Sequence, residues 1–430
     1  MKTADVLRAI KAGGLVVGLW PVMVALGGPW PPPAIPVVAH VTGMLAGYGV
    51  LVLVLLMSRA PMLERGVGAD VLARWHAKGG RIVLTLALVH AWAAIESWAE
   101  SRAQVFPIAL WQVLGLPGLV AATVGTALLV TVAVASMRAA RRRLTYEQWH
   151  ALHLLTYVAV ALTFLHQLAG PDLAGYRGLQ VAWALGYAYV FAFVIRYRVL
   201  APLRQASRHR LRVVGITSEA PGVVSIEVAG QHLHELDAEA GQFFRWRFLT
   251  PDHWSTAHPF SLSAPPTDTR LRLTVKALGS GSADLQSLDV GTWVVAEGPY
   301  GAMTAARRTR RDVLLIAGGV GITPMRALFE TIPLAPGDDL LLLYRARAAE
   351  QIVFRAELDD IAARRGARVV YLLGDDRESL TATGLQRQVP RLQQRDIYLC
   401  GPPGMADAVR DALRAAGLPP EQLHEERFAW

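Results

Sequence analysis

At 430 residues the chain is longer than one hydrophobic core usually serves, so two or three domains are expected. A single cysteine, Cys400, excludes an internal disulfide, a four-cysteine iron–sulfur cluster, a cysteine zinc site and a CxxCH heme attachment, so a redox metal has to be held by histidine. The 43 Lys+Arg against 34 Asp+Glu give +9, but the excess sits beside apolar runs, as Arg141-Arg142-Arg143 and Arg196 to Arg212, which points to a lipid membrane surface and away from nucleic acid.

Up to about residue 200 long apolar runs dominate; beyond 204 charged residues, turn residues and short apolar stretches alternate as in a soluble protein. Six segments approach or exceed the ~20 residues that cross a bilayer as helix, near 13–28, 35–57, 76–97, 115–137, 148–169 and 178–199. The first follows Lys2, Arg8 and Lys11 as a secretory signal would, yet no small-x-small cleavage site comes after it, and it reads as a helix. Basic residues are retained on the cytoplasmic side. The second-to-third connection holds Arg59, Arg65, Arg74, Lys78 and Arg81, and the fourth-to-fifth holds Arg138 and Arg141 to Arg143, against only Arg102 and Arg177 on the opposite side. A multi-pass cell-membrane protein with both termini and its soluble half in the cytoplasm is the expectation.

Ionisable residues at bilayer depth are costly and mark function. His76 and His90 lie on the third span fourteen residues apart, nearly on one helix face and roughly 21 Å apart along the axis. On the fifth span His153 and His166 are thirteen apart, which matches that depth; His150 is the alternative inner residue. Neutral imidazole on both sides is a common way to hold a b-type heme iron. His76 with His153 would hold an inner heme and His90 with His166 an outer one. Thirteen residues turn the second ligand about 140° from the first, so the fifth span must bend or receive its hemes at different angles. The bland reading, histidines that only hydrogen-bond a neighbouring helix, suits His40, alone on the second span, as well as any functional one.

Residues 201–210 read as a basic linker. From 211 to 305 the runs VVSIEV, FFRWRF, LRLTVKAL and WVVAEG, separated by Gly and Pro, suggest a small antiparallel β-barrel. From 306 to 430 apolar strands DVLLIAGG, DLLLLYRA, ARVVYLLG and RDIYLCG alternate with helical stretches, the signature of a parallel α/β domain. Gly318, Gly319, Gly321, Ile322, Thr323 and Pro324 follow the first of these strands and open a helix, a turn in which backbone N–H groups can approach a pyrophosphate.

His258-Pro259-Phe260-Ser261, Gly298-Pro-Tyr-Gly301, the AGGVGITP run and Leu399-Cys-Gly-Pro402 occur in the order found in ferredoxin-reductase-like flavoproteins. Joined to six spans with paired histidines, the chain resembles the NADPH oxidase and ferric reductase superfamily over nearly its whole length. The resemblance implies a six-helix transmembrane bis-heme domain over 1–200, an FAD-binding barrel over 211–305 and an NADPH-binding domain over 306–430. It gives His258 to Ser261 the flavin, with His258 near the diphosphate and Ser261 near the reactive ring edge. Lys276, Gly281 and Ser282 would hold FAD phosphates, the glycines at 318, 319 and 321 with Thr323 the nicotinamide nucleotide, and Cys400, Gly401 and Pro402 would lie beside the nicotinamide. Taken alone, Cys400 reads equally as a buried small hydrophobe. Arg345 and Arg347, after strand LLLLY, are placed to receive a 2′-phosphate, with NADH and two solvated arginines as the alternative. Phe428 and Trp430 compete to stack on the flavin and gate hydride transfer. The implied activity is electron transfer from NADPH through FAD and two b-type hemes to oxygen, a ferric chelate or a periplasmic partner protein; a flavin reductase on a heme-free membrane anchor is the competing class.

Overall fold

The computed structural model describes residues 3–28, 30–141, 143–144, 146–254, 256–374 and 378–426. The chain forms two compact units, one of Met1–Val67 with Val71–Arg198 and one of Val199–Trp430 with Gly68–Asp70.

The first unit is helical. Its elements are α1 (Thr3–Leu26), α2 (Ala34–Leu56), the short α3 (Pro61–Val67), α4 (Ala69–Ser101), α5 (Phe106–Leu114), α6 (Leu119–Ala135), the single turn α7 (Arg138–Arg141), α8 (Tyr146–Ala169) and α9 (Arg177–Ile195). Among the described residues five helices are long and apolar enough to cross a membrane, and a sixth span results if α5 and α6 count as one. The segment expected near 115–137 is α6, and the preceding α5, which the hydropathy pattern did not single out, meets it at 105°. Gly115-Leu-Pro-Gly118 is the cause: Pro117 lacks an N–H for the helix ladder, and Gly118 adopts φ +82°, where a side chain would be strained. The tight helix pairs are α1 with α2, α2 with α9, and α6 with α8. The last is close because the residues are small, a Cβ at Gly125 lying only 2.8 Å from the carbonyl oxygen of Ala159.

A five-residue π-helical turn, Arg196–Leu200, follows α9, and α10 (Ala201–His209) continues from it, so the basic linker is helical. The second unit then opens with β1 (Leu211–Ala220), β2 (Val223–Ala229), β3 (Phe243–Phe248), β4 (His258–Ser261), β5 (Arg270–Lys276), the short α11 (Ser280–Asp284) and β6 (Trp293–Tyr300). These strands pair antiparallel in the order β4-β3-β6-β1-β2-β5, and a bridge between Leu262 and Leu273 joins the two ends into a barrel. Alternation decides the faces: Phe244, Trp246 and Phe248 fill the interior, and Phe243, Arg245 and Arg247 take the other face of β3.

The remainder is a parallel sheet, β11-β10-β7-β8-β9, made of β7 (Asp312–Gly318), β8 (Leu340–Ala346), β9 (Arg368–Leu373), β10 (Arg395–Cys400) and β11 (Leu423–Glu425). Helices α12 (Ile322–Thr331), α13 (Arg355–Arg365), α14 (Ala382–Gln388) and α15 (Pro403–Ala415) accompany it. Every residue of β7 is buried, as expected of a central strand covered on both faces.

Candidate functional site

Within the helical unit α4 faces α8 across two histidine pairs. The ring centres of His76 and His153 lie 5.9 Å apart with planes at 64°, and those of His90 and His166 lie 6.3 Å apart at 31°. His153, and not His150, stands opposite His76. α8 remains one uninterrupted helix, so the thirteen-residue spacing is met by pairs of different ring-plane angle.

Two imidazoles bound to one metal from opposite sides, with metal–nitrogen distances near 2 Å, put their ring centres about 6 Å apart. Both pairs have that separation. Nδ1 of His90 lies 2.8 Å from the carbonyl oxygen of Ala39, and Nδ1 of His76 lies 3.2 Å from that of Leu53. A donated Nδ1–H fixes the tautomer and leaves Nε2 as the free ligand atom. Position 43 is glycine because a Cβ there would lie 2.6 Å from Nδ1 of His90. Among the described residues no group of three or more His, Cys, Asp or Glu could hold a bare metal ion, so the pairs suit a cofactor that brings its own equatorial ligands. The residues fit a heme at each pair.

Polar partners that the spacing of the histidines did not reveal surround them. His40 Nδ1 lies 2.9 Å from Asp172 Oδ2, and Trp20 donates to the backbone of Asp172. Arg198, in the π-helical turn, donates to Tyr157 one helical turn from His153. Asp172, just after Pro171, was readable as an acid at a span's end; that it faces His40, 132 residues earlier, was not.

In the barrel, β3 is flanked by the two motifs read from the sequence. Phe243 pairs with Ser261 on one side and with Tyr300 on the other. Ser261 Oγ is buried with no hydrogen-bond partner among the described residues, a vacant donor fitting a flavin ring edge. Gly281 adjoins His258, a Cβ there lying 3.3 Å from the imidazole, so the 279–282 turn and His258 come together. Ser282 Oγ accepts the N–H groups of Leu278 and Gly279 and shapes that turn. Arg245, in register with Pro259, and Arg247 are further cations on this face. The alternation of FFRWRF marks a strand, but nothing in it marks its arginines as site residues.

In the α/β domain the glycine turn and Leu399-Cys-Gly-Pro402 lie side by side at the carboxyl ends of β7 and β10, where open parallel sheets bind ligands. A Cβ at Gly321 would lie 2.3 Å from the Cys400 carbonyl oxygen, so only glycine fits. Ile322, Thr323 and Pro324 are buried as α12 begins, and Thr323 Oγ1 donates to Val320 O. Arg345 pairs in register with Gly318, with exposed Arg347 two residues on. Cys400 is fully buried; burial, aided by Glu426 and Glu425, pushes its thiol well above the usual range, which keeps it a neutral S–H. The carboxylate of Glu426 would meet a Cβ at Gly301 at 2.8 Å, so it lies near both Cys400 and the GPYG motif. Glu426 is a further residue that carries no signal in the sequence, lying just before the terminal aromatics. Phe428 and Trp430 lie outside the described residues.

An apolar helical unit with helices long enough to cross a membrane is joined to an antiparallel barrel and a parallel sheet, the make-up of a reductase module on a membrane component. Comparison with known families makes the class specific. Residues 42–164 match the family described as "Ferric reductase like transmembrane component", a range that includes His76, His90 and His153, and residues 315–411 match "Oxidoreductase NAD-binding domain". The two matches thus place a ferric-reductase-like membrane component and an NAD-binding reductase domain in one chain. It is similar to the ferredoxin reductase component of 3-ketosteroid-9-alpha-monooxygenase from Mycolicibacterium smegmatis, 33% identical over 224 residues that cover 50% of this chain and 63% of that protein. It is also similar to a flavohemoprotein of Bacillus subtilis, 26% identical over 44% of this chain and 51% of the other. The chain thus spans about half to two thirds of the length of these relatives. Among solved structures, the FAD/NAD-binding domain of nitric oxide dioxygenase from Vibrio cholerae is 24% identical, with a TM-score of 0.43 over 51% of this chain and 99% of that one.

Proposed function

We propose that this protein carries electrons from cytoplasmic NADPH through FAD and two b-type hemes to an acceptor on the far side of the membrane, and that the acceptor is oxygen. The observation that carries the reading is the stacking of two histidine pairs, each with the separation of two axial ligands, in a membrane unit fused to a flavin and nicotinamide module. When bound, FAD converts a two-electron hydride donor into single electrons, which the hemes pass across the bilayer.

The chain's own residues do the positioning. His76 with His153 and His90 with His166 would hold the two irons; His258, Lys276, Gly281 and Ser282 would bind the FAD phosphates, and Ser261 would offer its hydroxyl to the reactive ring edge. Gly318, Gly319, Gly321 and Thr323 seat the nicotinamide nucleotide beside Cys400, whose neutral S–H adds no charge there. Arg345 and Arg347 select the 2′-phosphate. The arginines at 59, 74, 81 and 141 supply the cytoplasmic bias. The His40–Asp172 pair, close along α2 to the carbonyl that fixes His90, supports an acceptor that is small and gains charge. Reduction of a ferric chelate is the second reading, favoured by the description of the family matched over 42–164.

The test is an absorption spectrum of the purified protein, expected to show reduced b-type bands with two hemes per chain. NADPH is added under nitrogen, then air or ferric chelate. Reoxidation by air with superoxide release supports oxygen, whereas reoxidation by the chelate alone assigns ferric reduction. Heme-free protein that still reduces dyes would overturn the transmembrane path. His90→Ala and His166→Ala are each expected to lose one heme and all far-side reduction while NADPH still reduces the flavin.

A further inference from the structure

The four paired histidines are not held alike. His76 and His90 each meet a backbone carbonyl of α2 through Nδ1, the usual way in which a ligand imidazole is fixed. Nδ1 of His166 is buried with no hydrogen-bond partner among the described residues, and so is Nδ1 of His153. What contacts its ring instead is Trp149, stacked at 5.0 Å between ring centres and 28° between planes. Trp149 is itself tethered: its Nε1 donates to Ser136 Oγ at 3.2 Å, at the end of α6, and the Arg141 guanidinium lies 4.9 Å over its ring. Since α6 packs tightly on α8, the indole is referred to a rigid neighbour.

We infer that Trp149 is the positioning residue of the inner ligand pair, setting the ring orientation of His153 by stacking where His76 and His90 use a carbonyl. This rests on the reading of His76 and His153 as ligands of one heme. An imidazole without a hydrogen-bond acceptor is free to turn about its last side-chain bond; a stacked aromatic face removes that freedom. It also leaves His153 a weaker donor than His76, since a hydrogen bond to the far nitrogen raises ligand basicity. The two ligands of the inner iron are therefore unequal, and their relative ring angle depends on an indole that touches no metal.

The experiment uses the full chain in detergent micelles, with Trp149→Leu, the conservative Trp149→Phe, and wild type. Heme per chain is measured, and the oxidised protein is examined by low-temperature electron paramagnetic resonance, whose g-values report the angle between axial imidazole planes. In Trp149→Leu the inner heme's signal is expected to shift, or its occupancy to fall by half or more, with the outer signal and flavin reduction by NADPH unchanged. Trp149→Phe is expected to restore the wild-type signal. Trp149→Leu with both signals and both hemes intact overturns the inference, as does a change that Trp149→Phe fails to restore. Wild type without heme overturns the proposed function and this inference together; wild type with two hemes and an indifferent Trp149→Leu overturns this inference alone.

Discussion

Arg345 stands at the carboxyl end of β8, in register with Gly318 of the glycine turn, and Arg347 follows it on the exposed side. On the proposed assignment both meet the 2′-phosphate, and a charge-assisted hydrogen bond contributes about 1.5–3 kcal/mol. Replacing both with alanine is expected to raise KM for NADPH by one to two orders of magnitude, at roughly 1.4 kcal/mol per tenfold, and to leave KM for NADH nearly unchanged. Steady-state kinetics with both nucleotides checks this, and an equal rise would reduce the arginines to general attraction. Asp338 gives a pH prediction. The amide of Ala335, then Arg308 and Arg311, hold its carboxyl at about 2 against an ordinary 3.8. Because the folded value is depressed, its stabilising contribution is complete above about 3.8 and disappears as pH falls towards 2. Asp338→Asn is therefore expected to be less stable than wild type at neutral pH, with the gap closing over that interval in thermal melts. At this scale the sequence was legible where chemistry is local, as in the glycine turn, and illegible where partners are distant. Nothing in the order of residues says that Glu426 returns to Gly301 or that Asp172 meets His40.

Between elements, one carboxylate ties the barrel to the nucleotide domain, beside an apolar cluster that Val223, Ala240 and Met303 share with that domain's strands and helices. Glu357 of α13 receives both Nη atoms of Arg272 from β5 at 2.9 Å and Nε of Arg326 from α12 at 2.7 Å, while Arg272 lies over the ring of Phe354. Arg272 and Arg326 are well buried, at 15% and 10% exposure; removing Glu357 leaves Arg272 without its carboxylate while Arg326 keeps Glu330, and Glu357 is itself 35% exposed, so solvent screens part of the loss. Glu357→Ala is expected to cost about 1–3 kcal/mol of stability in the full chain, read by denaturant unfolding, with the strands themselves unchanged. A loss below about 0.5 kcal/mol would show that apolar packing alone holds the two parts together. Element type was read well from periodicity: FFRWRF alternates and lies half-buried, and DVLLIAG is apolar throughout and lies central. The α5–α6 break was missed for a physical reason. Hydropathy averaged over a span does not register direction, and Pro117-Gly118 turns the chain without making it polar.

For the molecule as a whole, the outline followed from a change of solvent at about residue 200, while the choice of His153 over His150 needed the phase of α8 against α4. That phase is a property of packing and not of spacing. The parallel sheet carries one more implication, for the chain while it is being made. Its central strand β7 pairs with β8, which follows soon after, but also with β10, and β10 is completed by β11 near the C-terminal end of the chain. The glycine turn at 318–321 therefore has its wall at Cys400 only after some eighty further residues have been synthesised. Domains fold largely in the order in which they leave the ribosome, so the helices and barrel can be in place while the glycine turn has only one side. A nascent chain whose helices and barrel have already formed still lacks the backbone wall that Cys400 sets against the glycine turn.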